Sequence, residues 1–263
     1  MSDFRICTLF SGSGGNSTYI RHDDTEILID AGKCARALCR ALTDIGSDIT
    51  RISAIFITHE HTDHVSSLEV ISKKHRIPIH INNLSATRFD RDSGAYIHKN
   101  LVRHPENDFS VSVGDLKISA FRTPHDSIMS VGYKIETNRD VSCQPIAVAT
   151  DIGYVTDNIR QNLMGCEAVV IESNHDEQML MRGPYPYELK KRILSNVGHL
   201  SNRASAELCA ELAQNGTRAF LLAHLSAENN TPELALDEFV SAIADDSVKI
   251  AVADAECPTE LSY

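Results

Sequence analysis

Seven consecutive residues, Thr58-His59-Glu60-His61-Thr62-Asp63-His64, hold three imidazoles and two carboxylates at the end of the apolar run Ile52-Ser53-Ala54-Ile55-Phe56-Ile57. Buried charge has to be paired or metal-bound, and exposed loops seldom concentrate imidazole in this way, so the segment predicts a metal centre. In extended backbone, residues two apart share a face, which lets His59, His61 and Asp63 converge where the strand ends. His64 points elsewhere unless the chain turns. Just downstream, Ser66-Ser67-Leu68-Glu69 has the spacing of a capping box and predicts a helix from there to about His75, ahead of Pro78. A short loop between strand and helix would then aim His59 and His61 at one point and Asp63 with His64 at another. The helix-borne zinc pattern HExxH is excluded, because the position four after His59 is Asp63. Imidazole and carboxylate without thiolate suit zinc, manganese or iron.

Two ions need three or four ligands each, so further donors must come from other strand ends. Three fit: His125 in "RTPHDS", Asp151 in "AVATDIG" and His224 in "FLLAHLS". Asp151 and His224 directly follow apolar runs that read as buried strands, and His125 lies four residues past Phe121.

The elements that must position these residues are legible from periodicity and turn chemistry. Strands are predicted at 5–9, 17–21, 26–30, 54–57, 78–81, 111–121, 131–135, 145–150, 168–172, 219–223 and 248–252. The glycine-rich turn "SGSGGNS" joins the first two. Ala35, Leu38, Leu42 and Ile45 repeat at helical spacing, and further helices are predicted at 186–195, 203–215 and 232–244. Two rounds of strands followed by helices suggest an α/β architecture, with sheets stacked inside outer helix layers.

Composition narrows the class. No Pro/Gly/Ser-rich linker or low-complexity tract divides the 263 residues, so one domain over 1–263 is the expectation. The start has no basic region followed by a long apolar one, and no later stretch approaches a membrane span, so a cytoplasmic protein without membrane association is expected. Seven scattered cysteines with no CxxC pair indicate neither a disulfide framework nor a thiolate zinc site, and predict reduced, mostly buried thiols. With 36 acidic against 25 basic side chains, the formal charge of -11 argues against gripping nucleic acid by general attraction. A local basic track, or a site whose metals supply the positive charge, stays open.

THEHTDH resembles the HxHxDH signature of the metallo-β-lactamase superfamily, and with His125, Asp151 and His224 in the expected order the resemblance spans nearly the whole chain. Within the superfamily the sequence is similar to the YycJ (WalJ) family. The stretches that carry this are "SGSGGNSTYI", "LIDAG", "TPHDS", "TDIG", "IESNHD", "GPYPYELKKRILSNVGHLSN" and "LAHLSAENNTPELA". The resemblance implies a four-layer αββα metallo-β-lactamase sandwich, two mixed sheets covered by helices, with a dinuclear site at one edge. It implies that His59, His61 and His125 hold one divalent ion and Asp63, His64 and His224 the other, with Asp151 bridging them. Thiolate-bearing lactamases have a cysteine near that bridging position; the aspartate here is similar to the phosphodiesterase branches. A further resemblance, to the tRNA 3'-processing nucleases, pairs His199 in Gly198-His199-Leu200-Ser201 with Glu172. The long tRNA-grasping arm of those enzymes has no counterpart of suitable length.

The chemistry so implied is attack on a phosphodiester by a metal-bridging hydroxide, with Asp63 taking the water's proton and His199, its ring held by Glu172, protonating the leaving oxygen. Asp30 in "LIDAG" is a candidate for orienting the histidine loop from behind the ligands, with helix capping as the alternative. Ser11 and Asn16 in the glycine-rich turn, and Asn174, His175, Ser226, Asn229 and Asn230 near Glu172 and His224, are candidate substrate contacts, against ordinary turn and loop hydrogen bonding. Lys190, Lys191 and Arg192 form a compact basic group, either a solvated helix face or a phosphate-backbone contact. His22, His75, His80, His98 and His104 read as surface or structural residues.

The expected function is a dinuclear metal-dependent phosphodiesterase of the YycJ kind, a 5'-to-3' DNA exonuclease. The alternatives are a phosphodiesterase for small or cyclic nucleotides, a glyoxalase-like thioester hydrolase, and a non-catalytic signalling module. The cofactors expected are two divalent ions, zinc or manganese with iron third; the partner is DNA as substrate, and oligomeric state is left open.

Overall fold

The computed structural model describes residues 4–92, 96–139 and 142–263. The N-terminal half runs β1 (Arg5–Phe10), β2 (Ser17–His22), β3 (Thr25–Ile29), α1 (Ala35–Asp44), β4 (Ile52–Phe56), α2 (Thr62–Val65), α3 (Leu68–Lys74), β5 (Ile79–Asn82), α4 (Asn83–Ala86), α5 (Phe89–Asp92), α6 (Ile97–Asn100) and β6 (Leu101–His104). The rest runs β7 (Ser110–Val113), β8 (Leu116–Thr123), β9 (Ser130–Thr137), β10 (Ile146–Ala149), α7 (Asp157–Leu163), β11 (Ala168–Glu172), α8 (Glu177–Arg182), α9 (Tyr187–Ile193), α10 (Asn202–Gln214), β12 (Ala219–Ala223), α11 (Pro232–Ile243), β13 (Lys249–Val252) and β14 (Thr259–Leu261).

Among the described residues these strands make two seven-stranded sheets, ordered β14-β1-β2-β3-β4-β5-β6 and β13-β12-β11-β10-β9-β8-β7. Each is antiparallel at one end and parallel at the other, as β3 and β4 or β11 and β12 pair parallel while β1 and β2 or β8 and β9 pair antiparallel. The sequence explains the stacking. In β12, Ala219, Leu221 and Ala223 enter the core between the sheets while Phe220 and Leu222 pack under helices, so both faces are buried and the run is continuously apolar. In β3, Ile27 and Ile29 face the inter-sheet core and Leu28 the opposite helix layer. Leu38 and Leu42 of α1 with Leu68 and Ile71 of α3 cover one sheet. Ile159 of α7, Leu208 and Leu212 of α10 and Phe239 of α11 cover the other. This is the four-layer αββα sandwich of two mixed sheets, and fully burying each such side chain contributes roughly 1.5–3 kcal/mol.

The structure corrects several local expectations. The predicted strand 111–121 is a hairpin, β7 to β8, because Gly114 turns the chain at φ +58°. The capping box at Ser66 to Glu69 is not formed: Ser67 Oγ donates to the Ala31 carbonyl and Ser66 Oγ to that of Thr62. The turn comes earlier, with α2 starting inside the histidine segment and α3 following it. β6, β14 and helices α4 to α8 are additions to the expected elements, although α4, α7 and α8 begin at the capping side chains of Asn82, Thr156 and Asp176. All seven cysteines are free, but only Cys7, Cys166 and Cys209 are buried, while Cys34 and Cys257 are exposed. No helix among the described residues is long and apolar enough to cross a membrane.

Candidate metal centre

Every candidate ligand lies at or just beyond the C-terminal end of a strand or on the loop after it. His59 follows β4, His61 caps α2, and Asp63 and His64 lie in its single turn. His125, Asp151 and His224 follow β8, β10 and β12. Both sheets therefore feed one rim.

The turn at Thr62 splits the histidine segment into two aims. Donor atoms of His59, His61 and His125 lie within 4.8 Å of one another, and so do those of Asp63, His64 and His224. Asp151 sits between the groups, with Oδ2 3.5 Å from His64 Nε2 and Oδ1 3.6 Å from both His125 Nε2 and His224 Nε2. Nε2 of His59, Nε2 of His224 and Oδ2 of Asp151 are buried with no hydrogen-bond partner. Such atoms cost free energy unless something occupies them, and their types are those of a divalent cation's ligands. The donor set therefore fits metal. Burial lowers the basicity of the His224 ring, yet Asp151, Asp63 and Glu172 outweigh it and push this ring up to about 10. Burial also opposes protonation of His64, but Asp30 and Asp151 raise it well above the ordinary range. The carboxylates thus draw positive charge into the cluster, a demand that bound cations meet by displacing these protons.

Backbone strain marks the same places. Asp30, Asp151 and His224 adopt φ of +63°, +58° and +59°, the left-handed region that non-glycine residues seldom enter. Asp30 turns there to accept three hydrogen bonds: from Thr58 N at 2.8 Å, Thr58 Oγ1 at 2.8 Å and His64 Nδ1 at 2.7 Å. Its role in the fold is to hold the His64 ring rather than to cap a helix. Thr58 is the residue that sequence reasoning missed; its place directly before the first histidine is the only signal it gives.

The glycine-rich turn reaches the same rim. Asn16 Oδ1 accepts from Gly12 N at 2.8 Å, while Nδ2 lies 3.2 Å from Asp63 Oδ2 and 3.1 Å from His64 Nε2. Gly32 allows this crossing: Asn16 N donates to the Asp63 carbonyl at 2.7 Å, Gly32 N to that of Asn16 at 2.8 Å, and a Cβ on Gly32 would lie 1.6 Å from the Asp63 oxygen.

Glu172, the last residue of β11, is fully buried and accepts four hydrogen bonds. Oε1 takes His199 Nδ1 at 2.7 Å and His224 Nδ1 at 3.1 Å; Oε2 takes Ile152 N at 2.8 Å and Leu200 N at 3.1 Å. Burial alone would raise this carboxyl, but the His199 and His224 rings hold it below the usual carboxylate range. His199 is thereby brought within 3.9 Å of Asp151.

The remaining candidates divide by what they touch. Ser11 Oγ accepts from His224 N at 2.7 Å, and Asn174 Nδ2 donates to the His224 carbonyl at 2.9 Å, so both brace that ligand. His175 is buried beside His199, and its carbonyl accepts from Asn202 N. Asn230 is taken up by the protein interior, bonding Asn202 and the carbonyls of Ser173 and Asn174. Asn229 is buried and bonds Ser226, whose hydroxyl accepts from its amides. The basic group does not act as one surface: Lys190 donates to the carbonyls of Met181 and Gly183, Arg192 pairs with Asp126, and Lys191 is exposed. His22 pairs with Asp115, and His80 with His104 at 3.0 Å, all outside the centre.

Comparison with known proteins agrees with this geometry. The family described as the beta-lactamase superfamily domain matches residues 25–225. The exodeoxyribonuclease YycJ of Bacillus anthracis is 32% identical over 265 aligned positions, covering 97% of each chain. The exodeoxyribonuclease WalJ of Streptococcus pneumoniae is 32% identical over 252 positions, covering 95% of this chain and 91% of that one. The crystal structure of the metallo-beta-lactamase fold protein YhfI from Bacillus subtilis superposes with a TM-score of 0.74 at 14% identity, over 99% of this chain and 100% of that one. The fold, the family match and the full-length identity together establish that this chain belongs to the beta-lactamase superfamily and, within it, to the YycJ/WalJ family.

Proposed function

We propose that this chain is a metal-dependent phosphodiesterase acting as a 5'-to-3' DNA exonuclease. The observation that carries the reading is the pair of buried Glu172 and half-buried His199, 2.7 Å across, set beside a cluster of seven His and Asp donors. Thioester hydrolysis expels a thiolate that leaves without a proton donor, whereas a poor alkoxide leaving group needs a proton of the kind a carboxylate-oriented imidazole supplies.

His59, His61 and His125 would hold one divalent ion and Asp63, His64 and His224 a second, with Asp151 shared; zinc or manganese, then iron, suit these donors. When bound, the ions supply positive charge to the phosphodiester and lower the pKa of water so that it attacks near neutral pH. Asp63, its carboxylate steadied by Asn16, accepts the proton that the attacking water loses. As the bond from phosphorus to the leaving oxygen breaks, His199 delivers a proton to that oxygen, its other nitrogen donating to Glu172. Asp30 fixes the His64 ring through Nδ1, leaving Nε2 as donor.

A second reading, hydrolysis of small or cyclic nucleotides, draws support from the net charge of -11. One panel separates these: 5'-phosphorylated duplex DNA, single strands, RNA, bis(p-nitrophenyl) phosphate and a thioester, each with zinc and with manganese. The expected result is shortening of DNA from its 5' end, abolished by Asp63→Ala and by His199→Ala. Cleavage of the small diester with DNA left intact moves the assignment to the second reading, and turnover of the thioester alone overturns both.

A further inference from the structure

Resting on the nuclease reading, we infer that Tyr154 is a stacking post between two nucleobase sites, one on each side of the scissile phosphate. Two cavities, of about 450 and about 480 Å³, open beside the metal centre, and Tyr154 lines both. Each falls within the roughly 300–1,000 Å³ typical of sites for small organic groups. One contains His199 and the other His125, so both reach the centre, and Tyr154 borders each of them.

The ring is held out on a fixed support. Its loop follows Asp151 directly; Ile152 N donates to Glu172 at 2.8 Å and Gly153 N to the Pro124 carbonyl at 2.7 Å. A Cβ on Gly153 would lie 2.3 Å from the Asn196 carbonyl oxygen, so the loop is wedged against the 196–197 segment. Thr156 then caps α7. Yet the Tyr154 side chain, between these anchors, is 47% exposed. Ile128, Leu194 and Val197 are also exposed around it, at 53%, 49% and 44%, which makes an apolar rim at the mouth of a charged site. A rigid aromatic ring among apolar neighbours is what stacked bases use irrespective of sequence.

Charge decides which part of the strand enters. The cavity beside His199 is lined by Glu177, Glu207 and Glu211; its one permanently charged cation, Arg160, is already paired with Glu211, and Glu207 pairs with Arg203. Those carboxylates repel a phosphate and suit an uncharged base whose edge carries amino donors. Because His199 serves the leaving oxygen, this cavity takes the base of the departing nucleotide. The His125 side offers Asn158 and Asn196, neutral hydrogen-bonding groups for the base of the next nucleotide, and the exposed cation Arg122 for the phosphate that follows it.

The test uses the metal-loaded protein, single-stranded oligonucleotides with and without abasic residues at the two positions flanking the cleaved bond, and Tyr154→Ala and Tyr154→Phe variants. On the base-bearing strand, Tyr154→Ala is expected to raise KM about tenfold or more, as removal of a stacking partner does, with kcat nearly preserved, and Tyr154→Phe to restore the original KM. On the abasic strand the unsubstituted protein should already show the raised KM, and Tyr154→Ala should add nothing. Cleavage of intact DNA with KM unmoved by Tyr154→Ala overturns the assignment while leaving the nuclease reading in place. Equal loss of kcat on both strands means that Tyr154 only supports the loop, and overturns it as well. No cleavage of DNA by the unsubstituted protein overturns the nuclease reading and this inference together.

Discussion

Replacing Glu172 by glutamine tests the centre at its most connected point. The substitution keeps shape and volume but turns one oxygen into an amino group. In the fold, Oε1 faces two imidazole Nδ1 atoms and Oε2 faces two backbone N–H groups, so all four bonds are accepted. If the amide nitrogen faces Ile152 and Leu200, two buried donors meet a donor; at about 1–3 kcal/mol for each unsatisfied group, the cost is about 2–6 kcal/mol against a total stability of about 5–15 kcal/mol. If it faces the rings instead, His199 and His224 must accept at Nδ1 and carry hydrogen at Nε2. His224 then loses the lone pair a cation needs, and His199 loses the carboxylate that orients it. Either outcome is measurable: urea unfolding of the purified protein, metal content after dialysis, and phosphodiester turnover. The expectation for Glu172→Gln is a lower unfolding midpoint or a loss of bound metal, and turnover reduced on the order of a hundredfold or more. A variant that keeps its midpoint, its metal and its turnover would refute the role derived for Glu172.

Gly32→Ala places a methyl carbon 1.6 Å from the Asp63 carbonyl oxygen and 2.6 Å from Asn16 N, so the three-chain crossing has to part. A loss of about 3 kcal/mol or more in thermal or urea unfolding is expected, together with weaker metal retention, and an unchanged protein would contradict the crossing. His80 gives a pH test: burial holds its ring down at about 4, and His104 beside it adds to the fall. An unfolded ring binds its proton near pH 6.5, so between about 6.5 and about 4 the unfolded state holds more protons and stability drops as pH drops. After discounting for the solvent that still reaches the ring, His80→Gln should flatten that dependence by on the order of 1–2 kcal/mol, read from urea unfolding at pH 7 and pH 4.5. An unaltered slope would count against it.

The part of the centre that could be read from the sequence is the part fixed by local geometry. Histidines two apart at the end of an apolar run announce a shared aim, and Asp151 and His224 announce themselves by following buried strands. What decided the division of aims, the α2 turn at Thr62, was hidden by a better-looking signal at Ser66 to Glu69, whose hydroxyls are taken by carbonyls of Ala31 and Thr62. The Gly114-Asp115 turn was present as residues but masked by apolar alternation on both sides. Short β14 has no pattern at all; it is a strand because β1 offers it an edge. Asn229 and Asn230 look like loop residues in sequence, and only the packing of the 173–174 and 202 segments over Asn230, and of Asp176 and Gly183 beside Asn229, reveals their burial. The basic group at 190–192 was likewise divided by partners, Met181, Gly183 and Asp126, that lie outside its own helix.

The pairing of β1 with β14 has a bearing on biogenesis. Arg5 finds Glu260 only across 255 positions, and Ser11 receives the His224 amide across 213. At synthesis rates of roughly 5–20 residues per second, β1 waits on the order of 10–50 s at the ribosome with one flank of its hydrogen-bonding groups unclaimed. The complete rim therefore matures late, after His224 and β14 have emerged, and until then the open flank of β1 is an edge with which another strand can pair.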